Sequence, residues 1–320
     1  MLLPSISQPA SFPDALADLS ELEPFALVKL IVLDLDGTLL GHSGDSPATD
    51  MWKRRGGLVA SLNYYRVPLT IATGRAYAGA RVIAEIVSPH KTTPFVLYNG
   101  SAVISGDGVL LAHTPIDEAS ILSLTDAVQR TGGSALTYWL RADFSGQLEG
   151  EWAVFSGHGD SPEREFNGLP VSTPDEVPPG ASCVAALLWA EDPDVRSKLH
   201  DAVSTIEGLS VTTSSSRFIE VRPAGSTKAV GLNALLRNLQ IEPTKVMAIG
   251  DNDNDVELLA AVGIGVCVAN ASPSAQAVSR FKTTYPSSSG AIEALDLVTR
   301  ARRLWTGRHP KHGIRAEPGN

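Results

Sequence analysis

Leu30-Ile31-Val32-Leu33-Asp34-Leu35-Asp36-Gly37-Thr38-Leu39-Leu40 is an apolar run that breaks off into two carboxylates, a glycine and a hydroxyl. Val28 to Leu33 has the length and composition of a strand buried on both faces, as in a parallel sheet. Residues two apart on an extended backbone point to one side. Asp34 and Asp36 therefore leave the strand end as neighbours about 7 Å apart at the backbone. Such a pair repels itself unless a hard divalent cation intervenes, and Mg²⁺ is the usual one where phosphate is also bound. Gly37 allows the turn off the strand, and Thr38 adds a hydroxyl. The plainer alternative is a pair of turn acids capping a helix, and the rest of the chain must decide between the two.

The same grammar returns twice downstream. Pro68 to Ala72 reads as a second buried strand, ending in Thr73-Gly74-Arg75 before a helix over Tyr77 to Val87. A Thr-Gly pair in that position offers an anion a hydroxyl and backbone N–H groups. Lys245 to Gly250 is another such strand, ending in Asp251-Asn252-Asp253-Asn254-Asp255, with Asn254 and Asp255 three and four positions past Asp251 and so on one side of a helical turn. A calcium-binding EF-hand loop is excluded, because Val256 stands where its glycine and Val262 where its closing glutamate would be. Phe95 to Tyr98 reads as a further strand of the same sheet, ending in Asn99-Gly100, and Ala102 to His113 as a hairpin. Pro223-Ala224-Gly225-Ser226-Thr227 delivers Lys228 to the first turn of a helix reaching Leu239.

Strand–turn–helix units of this kind predict an α/β fold, a doubly wound, mostly parallel sheet whose strand ends open on one crevice. Asp34, Asp36, Asp251 and Asp255 then converge around one cation, beside Thr73 and Lys228 as donors to phosphate oxygens. From about Pro115 the grammar changes to helices (Ile116–Arg130, Pro193–Ile206) and antiparallel-looking strands with no acid at any strand end. That predicts an inserted α+β cap over 115–222, with core over 28–114 and 223–303. Gly157 to Gly180 reads as a loop excursion, residues 1–27 as an N-terminal arm, and 304–320 as a disordered basic tail.

Composition sets the outer limits. The 320 residues, 43% hydrophobic and 19% charged, suffice for a real core. A net charge of −9 argues against nucleic-acid and anionic-membrane partners. No apolar run reaches bilayer-spanning length, and the acids at Asp14, Asp18, Glu21 and Glu23 do not suit a targeting segment. Cys183 and Cys267, both in apolar runs, read as buried thiols of a reducing compartment, so the expected location is cytoplasmic, and the two glycosylation sequons at Asn99 and Asn270 are discounted.

At the level of motifs the chain resembles the haloacid dehalogenase-like (HAD) hydrolase superfamily, in its Cof-type branch with a type IIB cap. Asp34-Leu35-Asp36-Gly37-Thr38, Thr73-Gly74-Arg75, Lys228 and Gly250-Asp251-Asn252-Asp253-Asn254-Asp255 stand in its motif order, and Asn99-Gly100 falls where the branch has it. The 27-residue arm, Ala229 after the motif lysine, and Ser287-Ser288-Ser289-Gly290 depart from the usual pattern. The resemblance implies a Mg²⁺-dependent phosphatase of small phosphomonoesters, with a sugar phosphate or nucleotide-like metabolite as its partner. It implies Asp34 as nucleophile and Asp36 as general acid and base. Asp34, the Asp36 carbonyl and Asp251 would ligate the metal, with Asp255 behind them. Leu35 N–H, Thr73, Gly74, Lys228 and Asn254 would hold phosphate. A phosphomutase or phosphotransferase, or a binding protein on the same fold, is the alternative. Tyr138, Trp139, Arg141, His158, Trp189 and Arg217 are candidate selectors of the leaving group.

Overall fold

A computed structural model describes residues 8–13, 18–40, 56–87, 93–158, 165–166, 168–213 and 217–308. The chain divides into two compact units. One takes in Met1–Ile71, Glu85–Pro89 and Leu236–Asn320, the other Ala72–Ala84 and His90–Leu235.

The first unit is built on a six-stranded, all-parallel sheet. Its spatial order is Ala10–Ser11, Phe281–Lys282, Ile264–Cys267, Val246–Gly250, Leu30–Leu33, Leu69–Ile71. Leu30–Leu33, Leu69–Ile71, Val246–Gly250 and Ile264–Cys267 are buried at every position, as continuous apolar runs in a parallel sheet should be. From Leu30–Leu33 the chain adds Leu69–Ile71 on one side, then returns with Val246–Gly250 on the other. The order thus reverses between Leu30–Leu33 and Val246–Gly250, and at such a point the strand ends part to leave a crevice.

Ala10–Ser11 forms the edge strand, and the Phe12, Phe25 and Phe281 rings pack edge-on and tilted against one another with centroids 5.1 to 6.0 Å apart. Asp18 caps the helix Leu19–Ala26 through its carboxylate, accepting from the N–H groups of Ser20 and Glu21, and this helix packs on the C-terminal helix Ser287–Arg308. That last helix begins and ends beyond the predicted Gly290–Arg303, so residues 304–308, expected to be disordered, are helical. Its apolar stripe at Ile292, Leu295 and Val298 is buried, and packing of this kind, more than local propensity, fixes where a helix stops. Residues 309–320 lie outside the described set. Of the helix predicted over 49–65, Gly56–Tyr64 is observed and 49–55 lie outside the described residues.

The second unit holds a seven-stranded sheet in the order Leu209–Thr213, Phe218–Pro223, Ser182–Trp189, Ser134–Ala142, Leu148–Gly157, Leu169–Ser172, Glu165–Phe166. All its pairings are antiparallel except that of Leu169–Ser172 with Leu148–Gly157. The helices Glu118–Thr131 and Pro193–Ser204 cover one face, where Leu124, Val128, Leu199 and Val203 pack on Ala135, Ala186, Leu188, Ile219 and Val221. The alternation of strand side chains puts Leu136, Tyr138, Glu151, Phe155, Leu187, Trp189, Phe218 and Glu220 on the other face.

Two expectations are corrected here. The Gly157–Gly180 excursion contains the paired strand Leu169–Ser172, disguised by Pro170 and by short apolar content. Phe95–Tyr98 is not a strand of the parallel sheet. Pro94–Leu97 pairs antiparallel with Ala102–Ser105, which pairs with Leu110–His113, and among the described residues a single parallel bridge, Ala72 with Val96, touches it. A fully apolar four-residue run carries no sign of the direction of its partner, which is why the sequence could not separate the two.

Candidate active site

In the first unit the acids gather at the sheet's reversal point. Asp34 follows Leu33 directly and Asp251 follows Gly250, and the two parent strands are paired through Leu33 and Ile249. The Asp34 N–H donates to the Ile249 carbonyl at 2.9 Å, fixing the height at which the first acid leaves the sheet. Beyond it the chain turns at once. Gly37 stands at φ +96°, and a Cβ there would lie 2.2 Å from Asp251 Oδ2, so only glycine lets the turn pass the second acid. Thr38, fully buried, donates its hydroxyl to Asp251 Oδ1 at 2.7 Å.

The third acid belongs to the turn Asp253–Asp255. Asp255 Oδ2 accepts from the N–H groups of Asp251 (3.0 Å) and Asn252 (3.1 Å), which locks the loop that carries Asp251. Asp34, Asp251 and Asp255 are 4%, 3% and 0% exposed, and one carboxylate oxygen from each lies within 4.8 Å of the others. Three such groups out of water need positive charge among them. An all-oxygen donor set of this size fits a hard divalent cation, and the fit is to this chain's own donors. Asp36 stands outside the trio with an exposed side chain, and Asn254 is half-buried in the same turn. Asp253, which no motif role claims, accepts hydrogen bonds from Ser272 and Ser274, and these hold its carboxyl below the usual carboxylate range.

The second unit gathers the expected phosphate donors. Thr73 is buried, its N–H donates to the Val96 carbonyl at 2.9 Å and its carbonyl accepts from Asn99 N–H at 3.0 Å. Gly74 is exposed, and a Cβ there would meet Asn99 Nδ2 at 3.0 Å. Tyr98 and Asn99 both take left-handed backbone, φ +51° and +53°, and Gly100, at φ +100°, lies so close to the Thr227–Lys228 peptide that a Cβ would fall 1.9 Å from the Thr227 carbonyl oxygen. Lys228 opens the helix Lys228–Leu239 and is 1% exposed. Thr73, Gly74, Asn99 and Lys228 are therefore one neighbourhood, drawn together by close backbone approaches.

Two acids that the sequence reading passed over complete it. Glu151 accepts from the Tyr98 hydroxyl and, at 2.9 Å each, from the N–H groups of Tyr77 and Ala78 at the head of the helix Tyr77–Val87. Burial outweighs these bonds and pushes its carboxyl above the usual range. Glu220 accepts from Asn99 Nδ2 at 2.6 Å. Each is a lone acid within a strand pattern, which in sequence looks like any solvent-facing residue. Of the candidate selectors, Tyr138 is 5% exposed and packs on Tyr98, while Trp139 and Arg141 lie on the helix-covered side and bond Thr137 and Glu149. Trp189 lies on the opposite face beside Phe155 and Phe218. With Arg196 and Arg217 it lines a cavity of about 200 Å³. His158 is exposed.

Residues 31–295 match the haloacid dehalogenase-like hydrolase family. The chain belongs to that family. Among curated proteins it is 24% identical over 259 residues to "Putative phosphatase YkrA" of Bacillus subtilis, covering 80% of this chain and 91% of that one. Among solved structures it is similar to a haloacid dehalogenase-like hydrolase from Bacteroides thetaiotaomicron, with TM-score 0.66, 20% identity, and 84% and 98% of the two chains covered. It is also similar to the HAD subclass IIB sugar phosphatase BT4131, with TM-score 0.62, 16% identity, and 87% and 99% covered. The Cof-type branch expected from the motifs agrees with these likenesses, and the chain is an enzyme of the phosphatase kind. Among the described residues no helix is long and apolar enough to cross a membrane.

Proposed function

We propose that this enzyme is a Mg²⁺-dependent phosphatase that hydrolyses small phosphomonoesters through an aspartyl-phosphate on Asp34. The observation that carries the reading is the trio of buried carboxylates at the sheet's reversal point, with a second, exposed aspartate two residues past the first. Asp34, the Asp36 backbone carbonyl and Asp251 would hold the cation, with Asp255 steadying Asp251 from behind. When bound, Mg²⁺ neutralises the acids and the phosphoryl oxygens, so that a carboxylate can approach a dianion.

The chain's own groups then divide the work. An Asp34 carboxylate oxygen attacks phosphorus, the new O–P bond forms as the ester P–O bond breaks, and Asp36 delivers a proton to the departing alkoxide. Asp36, now ionised, takes a proton from water as the water oxygen attacks the phosphorus. The acyl phosphate bond breaks, Asp34 is regenerated and inorganic phosphate leaves. An exposed Asp36 suits an acid that must trade protons with solvent, and a buried Asp34 suits a nucleophile shielded from it. Thr73, Gly74 N–H, Lys228, Asn254 and Leu35 N–H are proposed to donate to the equatorial oxygens, spreading charge as it develops. Residues 115–222 are proposed as the cap that selects the leaving group, acting in the cytoplasm on soluble metabolites.

Phosphate release from an aryl phosphate with Mg²⁺, and no activating bisphosphate, tests this. The wild type is expected to turn over, and Asp34→Asn to lose at least about 10³-fold in kcat. An unchanged rate in Asp34→Asn refutes the nucleophile, and release only with a bisphosphate present turns the reading to a mutase.

A further inference from the structure

We propose that Asp253 is a positioning residue whose clasp on Ser272 and Ser274 fixes the acidic turn and so raises the affinity of the Asp34–Asp251–Asp255 trio for its cation. The inference rests on the metal reading above and deepens it. Two neighbouring parallel strands, Val246–Gly250 and Ile264–Cys267, end side by side, with Gly250 paired to Cys267. The first runs into the acidic turn, the second into the loop that leads through Ser272 to the short helix Pro273–Val278. Loops leaving adjacent strands need not touch. Here they are joined at the backbone, where Ser272 N–H donates to the Asp251 carbonyl at 2.7 Å. They are joined again at the side chains, where Asp253 Oδ1 accepts from the hydroxyls of Ser272, at 2.9 Å, and of Ser274. The Ser272 hydroxyl also accepts from Ala275 N–H at 3.3 Å, so the far side of the clasp is itself held by the cap of a helix.

Like charge is what makes such a clasp useful. Before a cation binds, the carboxylates of Asp34, Asp251 and Asp255 repel one another, and repulsion favours any motion that swings one of them away. Inside the turn, Asp255 Oδ2 accepts from the N–H groups of Asp251 and Asn252, and Asn252 Oδ1 accepts from Asp253 N–H at 2.9 Å. Those bonds fix the shape of the turn but do not anchor it. Thr38 anchors the Asp251 side chain from the neighbouring strand on one side. Asp253 anchors the turn on the other, through the loop after Ile264–Cys267. Its own carboxylate is exposed and outside the trio, so it acts through the backbone that carries Asp251 and Asp255 and not as a ligand. A donor set held in place beforehand loses less binding free energy to ordering when the cation arrives.

The test is calorimetric titration of Mg²⁺, without substrate, into the wild type, Asp253→Ala, Asp253→Asn and Ser274→Ala. Asp253→Ala is expected to weaken Kd about 3- to 10-fold, less than the loss of a group bonded directly to a ligand, because Asp253 is one step further out and exposed. Ser274→Ala keeps the charge and removes one of the two hydroxyls, and should cost about 2- to 4-fold. Asp253→Asn keeps an Oδ1 that accepts from both serines, and should stay within about twofold of the wild type. Asp253→Asn as weak as Asp253→Ala, with Ser274→Ala unchanged, makes the effect one of charge alone and overturns the clasp. Equal Kd in all four proteins overturns it as well. In aryl phosphate hydrolysis, the Mg²⁺ concentration for half-activation of Asp253→Ala should rise by the same factor, with kcat restored at saturating Mg²⁺. A kcat that stays low there places the effect on the neighbouring Asn254 and overturns the cation role. Should the Asp253 variants fail to fold, Ser274→Ala, at an exposed position, carries the test alone: an unchanged Kd refutes the clasp. A wild type that binds no Mg²⁺ removes the metal reading itself, and is told apart from failure of the clasp by needing no variant.

Discussion

The two N–H groups that Asp255 Oδ2 satisfies are the reason the acidic loop has a shape at all. Asp255→Ala leaves the buried Asp251 N–H and the part-buried Asn252 N–H without this acceptor, and urea unfolding is expected to show a loss of about 1–3 kcal/mol, beyond any effect on metal binding. Glu151 makes a pH prediction. Its folded carboxyl sits above the unfolded value near 4.5, so between the two the folded chain binds the proton more tightly and stability must fall as pH rises through that interval. The stability difference between wild type and Glu151→Gln should therefore shift against the wild type as pH climbs from below the ordinary carboxylate value to above the raised one. A flat difference, read by denaturant midpoints across that range, contradicts the burial of this carboxylate. Asp34 and Asp251 were legible because each stands at a strand end, where an acid is unexpected, and Asp255 because it lies four positions past Asp251, on one side of a helical turn. Glu151 and Glu220 were not, because alternation permits a polar residue at every second strand position, and only the fold shows what their faces meet.

At the scale of elements, the helices Tyr77–Val87 and Lys228–Leu239 follow from the sequence to the residue, since both have clear starts after a strand-ending turn or a Pro-Gly loop. The strands Ala10–Ser11 and Phe281–Lys282 do not. Two residues carry no periodicity, and their pairing joins the extreme ends of the sequence, which no local pattern encodes. What makes them stable is the ring cluster of Phe12, Phe25 and Phe281. Phe12→Ala should cost about 1–3 kcal/mol by denaturant unfolding, through two aromatic contact pairs and a half-buried ring. A value near zero would show that the arm contributes nothing to the sheet it edges. The strand Leu169–Ser172 teaches the converse: Pro170 reads as a loop signal, yet its neighbours Val171 and Ser172 still find register with Ala153 and Val154.

Over the whole molecule, parallel-sheet topology converts distance in sequence into proximity in space. Asp34 and Asp251 follow neighbouring strands because the chain reverses its order between them, and that gathers buried carboxylates that could hold a metal ion. Within the second unit the turn Tyr98–Gly100 is bound to strand residues Glu151 and Glu220, which ties sequence-distant segments of that unit together. Calorimetric titration of Mg²⁺ into the wild type and Asp251→Asn, without substrate, tests the central claim most directly. One saturable site in the wild type, absent or weakened at least about tenfold in the variant, is the predicted result. No binding to the wild type, or equal binding to both, would contradict it.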